Sequence, residues 1–453
     1  MSLKYDAALT IGKGIYHGMR MLKRKASYLP GSVALKICPD FLSNVSRPET
    51  VILVTGTDGK TTTTNLITSL FEKQGKTVAC NRLGSNTIVG LSTALMTCGG
   101  YGSKSKADVA VLETDEHWVR IVAPMLKADY LVCTGLLRDS LQRNAHPEYV
   151  FYKMGLTDYK DMTVILNADE LCSARLLPEN RRLYYGIGKL DSDHDAPPNR
   201  VNDFPVCPEC GHELTYDYVR YGNVGHASCS HCGFESPASD VFVKSVDYEN
   251  KSLTISYKGS DYEMPMINDG LFNIYNEAAA LLLLLDMGVS MEEAKKLMAQ
   301  SEITKTRYSN KVINGVELVH TMAKGNNSLP VSMVFEYIRN KPGRKSIVMA
   351  LDDDDEKDSS ERIGWIYDTD YEFLNDEKIE QIMVVGPRCY DQYMRLLMAG
   401  IDRSKLVCGV DEFETLDSLK TDVDTVYLLH DMSTYDLSVK AEEKITEILE
   451  VRA

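Results

Sequence analysis

No stretch of this sequence stays apolar for long. The longest such run, Ala278 to Leu285, falls far short of the roughly 20 residues that a membrane-crossing helix needs, so no transmembrane segment is expected. An excess of basic charge is lacking as well. Fifty Lys and Arg oppose 65 Asp and Glu, and the resulting net charge of −15 repels a phosphate backbone, which argues against nucleic acid as a partner. Internal repeats and low-complexity tracts are absent, and the apolar fraction of 44% is that of an ordinary globular chain, which excludes fibrous and disordered classes. The N-terminal segment has no apolar core followed by a small-residue cleavage site, so it reads as part of the mature fold of a cytoplasmic protein. In that segment Lys4, Lys13, Arg20, Lys23, Arg24 and Lys25 face only Asp6, a balance suited to the inner face of an anionic membrane.

The length of 453 residues predicts about three domains. Without a secretion signal, the 11 Cys are expected as thiols or metal ligands rather than as a disulfide framework. Four of them are patterned. Cys207-Pro-Glu-Cys210 and Cys229-Ser-His-Cys232 are two C-x2-C pairs, each followed at once by glycine (Gly211, Gly233), the spacing of a zinc ribbon. Glycine supplies the positive φ that turns backbone amides toward the sulfurs, and four thiolates leave no open coordination position, so the expected zinc is structural. A redox dithiol pair and a metal-free site are the alternatives. The other seven Cys are expected in the core.

A second pattern begins at Val51. The apolar run Val51 to Val54 reads as a buried parallel strand, and a helical pattern with Leu66, Ile67, Leu70 and Phe71 follows the loop Thr55-Gly-Thr-Asp-Gly-Lys-Thr-Thr62. Strand, glycine loop and helix together make a phosphate cradle. Backbone amides and the positive helix end face the anion, Lys60 reaches the outer phosphates, and the Thr61 hydroxyl can ligate magnesium. Only Thr57 and Asp58 separate Gly56 from Gly59, where the general phosphate-loop motif has four residues.

With that shorter spacing the sequence resembles the Mur ligase family of ATP-dependent amide-forming enzymes. Val109 to Glu116 looks like the family's strand ending in acids, with Glu113 at the magnesium-holding position. Val164-Ile-Leu-Asn-Ala-Asp-Glu170 looks like its strand followed by Asn-x-Asp. Gly270-Leu-Phe-Asn-Ile-Tyr-Asn-Glu-Ala-Ala-Ala280 looks like its helix, in which Asn276 would contact adenine. Within the family, Tyr28 to Leu42, Asn81 to Asn86, Leu137 to Arg143, the four-Cys ribbon and Trp365 to Glu372 are similar to the MurT-type subunits of lipid II isoglutaminyl synthase.

The resemblance implies an α/β chain with a Mur ligase-like central ATPase domain over 46–300 on a mostly parallel sheet. A lead-in segment over 1–45 would precede it, the zinc ribbon would be inserted at 201–240, and a C-terminal α/β domain would cover 305–453. It implies ATP with Mg2+ at Gly56, Thr57, Asp58, Gly59, Lys60, Thr61, Thr62, Glu113, Asn276 and Arg307, the last reaching the γ-phosphate. It implies a GatD-type glutaminase as partner, with Asp358 completing the partner's Cys-His pair, and amidation of D-glutamate in the stem peptide of a lipid-linked peptidoglycan precursor. Departures mark a divergent member. Asp58 replaces an Asn, Thr134-Gly135 replaces Thr-Asn, Lys324-Gly-Asn-Asn327 stands for Lys-Asn-Pro, and the acidic run 352–358 is longer. A stand-alone ligase joining an amine to a carboxylate, and a non-catalytic nucleotide-binding scaffold, stay open beside the amidotransferase reading.

Overall fold

A computed structural model describes residues 3–451 apart from 83–84, 100–104, 142, 302–307, 324–326, 352–362 and 432–433. The chain forms two compact units. The first contains Met1–Leu137, Pro147–Ala196 and Phe204–Ile303; the second contains Arg138–His146, Pro197–Asp203 and Thr304–Ala453.

The strands of the first unit are β1 (Thr50–Thr55), β2 (Val78–Cys80), β3 (Val109–Glu113), β4 (Tyr130–Cys133), β5 (Thr163–Asn167), β6 (Arg182–Ile187), β7 (Thr215–Tyr221), β8 (Val224–Ser228), β9 (Val241–Asp247), β10 (Ser252–Tyr257) and β11 (Ser260–Pro265). Nine of them build one sheet in the order β11-β10-β9-β6-β5-β4-β1-β3-β2. From β9 to β2 all neighbours are parallel, and β10 and β11 add an antiparallel edge. Val51 to Val54 are all buried, as a parallel strand covered on both faces requires. β1 lies between β3 and β4, so the strand order reverses around it. Its carboxyl end is therefore the crevice where open α/β sheets bind ligands.

The helix Leu271–Asp286 is buried from Ile274 to Leu285 and packs on β5, β6, β9 and the helix Lys60–Lys73. This explains the apolar run at 278–285: a helix enclosed on nearly all sides needs no polar stripe. The N-terminal helix Leu3–Met21 joins a different cluster, in which Tyr5, Ala8 and Leu9 pack with Val51, Leu53, Ala110, Leu112 and Leu131 of the central strands. Among the described residues no helix is long and apolar enough to cross a membrane.

β7 and β8 form a separate antiparallel hairpin. Its tip is fastened by charge. The Arg220 guanidinium contacts Asp169 Oδ2 at 3.1 Å and Asp193 Oδ1 at 3.2 Å, with all three side chains at most 4% exposed. It also donates to the Tyr275 hydroxyl at 2.7 Å and to the Ile187 carbonyl at 2.8 Å. Burial pushes the Asp169 carboxyl up, and the guanidinium and the Tyr275 hydroxyl oppose that shift.

The second unit carries β12 (Tyr308–Ile313), β13 (Val316–Met322), β14 (Lys345–Ala350), β15 (Ile379–Val385), β16 (Leu406–Gly409) and β17 (Thr425–His430), in the order β12-β13-β17-β14-β15-β16. All are parallel except β12, which pairs antiparallel with β13. The two early segments assigned to this unit grip the stretch Trp365 to Glu372. Arg138 bonds Asp203 and Asp368, the Asn199 amide bonds Asp370 at 2.8 Å, and Arg200 pairs with Glu372 at 3.0 Å. The polar loop before the ribbon is thus held by ion pairs and amides.

Removing one member of a buried ion pair leaves an uncompensated charge. Arg220→Ala is expected to cost about 3–5 kcal/mol of unfolding free energy, read from the shift of the urea midpoint.

Candidate nucleotide site and four-thiol cluster

The phosphate loop leaves β1 at its carboxyl end and enters the helix Lys60–Lys73 through Gly59. Both loop glycines are required. Gly56 has φ +129°, and a Cβ there would lie 2.2 Å from Thr134 Oγ1; Gly59 has φ +84°, and a Cβ there would lie 2.6 Å from Asn276 Oδ1. The loop is braced from the turn after β4. The Thr57 amide donates to the Gly135 carbonyl at 2.8 Å, and the Leu137 amide donates to Thr57 Oγ1 at 3.0 Å. Thr134 Oγ1 bonds the Asp58 carbonyl. Gly135, where the resemblance expects Asn, has φ +140° and presents its carbonyl to the loop.

At the helix start the Thr61 hydroxyl donates to Glu113 Oε2 at 2.8 Å. Two hard oxygens at the mouth of a phosphate-binding loop suit Mg2+. Asn81 fixes Glu113 by clamping its backbone in both directions, each bond 2.9 Å. The Lys60 ammonium folds over the loop, contacting the Gly56 carbonyl, the Thr57 carbonyl at 3.2 Å and Glu116 Oε1 at 2.9 Å. Thr62 lies half-buried in the same first turn. Asn276 is buried against the loop, where its Oδ1 accepts from Thr63 Oγ1 at 2.9 Å.

Arg307 and Asp358 lie outside the described residues, as does Lys324. Sequence reasoning passed over Glu116 and Asn81, although both sit in segments it quoted; nothing local distinguishes a carboxylate aimed at Lys60 from one aimed at water. It also missed Glu170. That carboxylate is fully buried and accepts from the amides of Leu136, Cys172 and Ser173 at 2.7–2.8 Å and from the Asn223 side chain. Burial pushes its carboxyl up, and the backbone amides oppose that shift.

A recess opens beside the loop, bordered by Asp58, Gly59, Asn276, Tyr221, Val224 and Phe272. The loop amides, the helix start and the Thr61–Glu113 oxygen pair fit a magnesium nucleotide.

The four patterned thiols converge. All four Sγ atoms lie within 4.8 Å of one another, with Cys207 to Cys232 at 3.7 Å and Cys210 to Cys229 at 3.6 Å. Sulfurs about 2.3 Å from a tetrahedral zinc would be separated by about 3.8 Å, so the donor set and spacing fit that ion. Gly211 and Gly233 have φ +75° and +76°, and their amides donate back to the Cys207 and Cys229 carbonyls.

Glu277, next to Asn276, accepts from the amides of Ile267 at 3.1 Å and Asn268 at 2.9 Å, and burial pushes its carboxyl up to about 8. The folded chain then holds a proton that the unfolded chain has released, so this group's contribution falls as pH rises from the ordinary carboxyl range through 8. Glu277→Gln should flatten the decline of stability between pH 5 and 8 by up to ~1.4 kcal/mol per pH unit, measured by urea unfolding across that range.

Comparison with known proteins identifies relatives of the chain and of its fold. The Mur ligase middle domain matches residues 54–196, and the MurT ligase C-terminal domain matches residues 326–435. The chain is 29% identical over 404 residues to the lipid II isoglutaminyl synthase (glutamine-hydrolyzing) subunit MurT of Staphylococcus aureus (strain COL), covering 87% of this chain and 88% of the relative. It is 28% identical to the subunit of the same name from Streptococcus pneumoniae, covering 90% and 89%. Among solved structures, a pseudomurein peptide ligase type C from Methanothermus fervidus shares the fold with a TM-score of 0.66 at 20% identity, over 90% of this chain and 81% of that one. MurF ligase from Thermotoga maritima, solved in complex with ADP, shares it with a TM-score of 0.57 at 16% identity, over 94% and 85%. With a Mur ligase middle domain followed by a MurT-type C-terminal domain, and MurT relatives along most of its length, the chain belongs to the Mur ligase family.

Proposed function

We propose that this chain is the ATP-dependent ligase subunit of a glutamine-dependent amidotransferase, converting the α-carboxylate of D-glutamate in the lipid-linked peptidoglycan stem peptide to the amide. The observation that carries the reading is the braced phosphate loop with Thr61 and Glu113 at its mouth, in a chain whose full-length relatives are lipid II isoglutaminyl synthase subunits. Ammonia does not displace oxide from a carboxylate, so the oxygen must first be made a leaving group; ATP with Mg2+ supplies the phosphoryl group for an acyl phosphate.

The chain's own residues position and neutralise. The amides of the Gly56 to Gly59 loop and the start of the helix Lys60–Lys73 would face the phosphates, Lys60 would balance charge on the transferred group, and Thr61 with Glu113 would hold Mg2+, which supplies charge neutralisation when bound. Glu116 holds Lys60 over the loop at 2.9 Å until phosphate competes for it. Arg307 is assigned to the γ-phosphate and Asp358 to the partner glutaminase, both on the resemblance. The glutaminase is a GatD-type subunit in a heterodimer. Substrate on a lipid carrier places the reaction at the cytoplasmic membrane face, beside which the basic N-terminal segment would lie.

The test is co-expression with a glutaminase subunit, then mass measurement of muropeptides for exchange of a carboxyl OH by NH2. Amidation with glutamine is expected, and Lys60→Ala should lower ATP turnover at least ~100-fold while leaving the fold intact. Unchanged turnover in that variant would overturn the phosphate-loop assignment, and amine transfer without any glutaminase would favour the stand-alone ligase.

The thiol cluster is assigned to structural zinc at Cys207, Cys210, Cys229 and Cys232. A single equivalent of metal should survive dialysis, and Cys207→Ser should lose it with a lowered Tm; an equally stable metal-free variant would refute the role.

A further inference from the structure

The ribbon is more than an appendage on the ATPase unit, because its two ends do different things. At one end Cys210 precedes β7 by only a few residues and Cys229 directly follows β8, so the thiol cluster closes the hairpin. At the other end the turn Gly222-Asn223 is seated on the adjacent acids after β5. The Gly225 amide donates to the Asp169 carbonyl at 2.7 Å, the Asn223 side chain bonds Glu170, Val224 bridges to Glu170, and Arg220 pairs with Asp169. Glu170 in turn holds the Leu136 amide, one residue from the Gly135 that braces the phosphate loop.

This seating brings Tyr221 and Val224 to the edge of the recess beside Asp58 and Gly59. Tyr221 is 3% exposed, and its ring centroid lies 4.9 Å from that of Phe272. One side of the recess thus carries aromatic and aliphatic surface from the ribbon and the helix Leu271–Asp286. Another carries the Asn276 amide, next to a loop built for phosphates. A planar heterocycle attached to a phosphate chain matches that combination: a π-face for the rings, an amide for the edge.

We propose that the tip of the four-Cys ribbon is the nucleobase wall of the nucleotide site, with Tyr221 and Val224 contacting the base. It rests on the proposed ATP-dependent reading of the phosphate loop. The consequence is that an inserted metal module contributes affinity for the base, while the loop and the start of the helix Lys60–Lys73 set affinity for the phosphates.

The test separates those two contributions by calorimetric binding of MgADP and of magnesium tripolyphosphate, which has no base. The wild-type protein should bind both, and Tyr221→Leu should weaken MgADP about tenfold while tripolyphosphate stays within about twofold and the metal content is unchanged. Should Tyr221→Leu not fold, Val224→Ala and Phe272→Leu carry the same comparison. Equal affinity of the variants and the wild type for MgADP, or equal weakening of both ligands in a folded, metal-loaded variant, would overturn the base wall while leaving the phosphate loop in place. Failure of the wild type to bind either ligand would overturn the nucleotide reading itself, and the base wall with it.

Discussion

Asp169 and Glu170, neighbours at the carboxyl end of β5, are both out of water, and much of the first unit is arranged around that cost. A buried carboxylate needs a cation or several donors, and each acid has found its own solution. Asp169 takes a guanidinium, a tyrosyl hydroxyl and the Ile187 amide; Glu170 takes backbone amides and one side-chain amide. Because the donors come not only from β6 and from Cys172 and Ser173 but also from the ribbon hairpin, the helix Leu271–Asp286 and the turn after β4, satisfying two carboxylates fixes these last three elements against the sheet. Apolar packing alone would tolerate small sliding of the hairpin; a forked guanidinium with directional bonds does not.

The candidate nucleotide site inherits that rigidity. Gly56 and Gly59 let the loop run close to Thr134 and Asn276, and the turn that braces the loop is itself held by Glu170 through Leu136. Amides aimed at an anion stabilise transition-state charge only if they need not reorganise, and a loop pinned on two sides meets that condition. The replacement of the family's Asn by Gly135 is consistent with this arrangement: the carbonyl at that position bonds the Thr57 amide, and a positive φ suits glycine there.

Much was legible in advance where the signal is local. The apolar run at 51–54, the glycine spacing and Lys60-Thr61 located strand, loop and helix, because a phosphate loop is written in consecutive residues. The two C-x2-C pairs announced a four-thiol cluster for the same reason. Glu113 could be matched by order, and it does meet Thr61. Glu116 and Asn81 were harder: each stands beside a matched residue, yet its contact crosses 56 and 32 positions of sequence. The early segments 138–146 and 197–203 were unreadable as parts of the second unit, since their ion pairs to Asp368 and Glu372 and their hydrogen bonds to Asp370 leave no periodic trace.

The sequence by itself determined the chemistry available to this protein: a glycine loop between strand and helix with a Lys-Thr pair, carboxylates at a strand end, four patterned thiols, an acidic chain without a long apolar run. Those follow from residue type and spacing over a few positions, where covalent geometry already restricts what neighbours can do. Tertiary structure alone decided which of 65 acids hold a lysine, a hairpin or a loop, and brought the ribbon's Tyr221 to the edge of the recess beside the glycine loop. The physical reason is desolvation. A carboxylate acquires its role from what replaces its water, and that is known only when distant segments have packed around it.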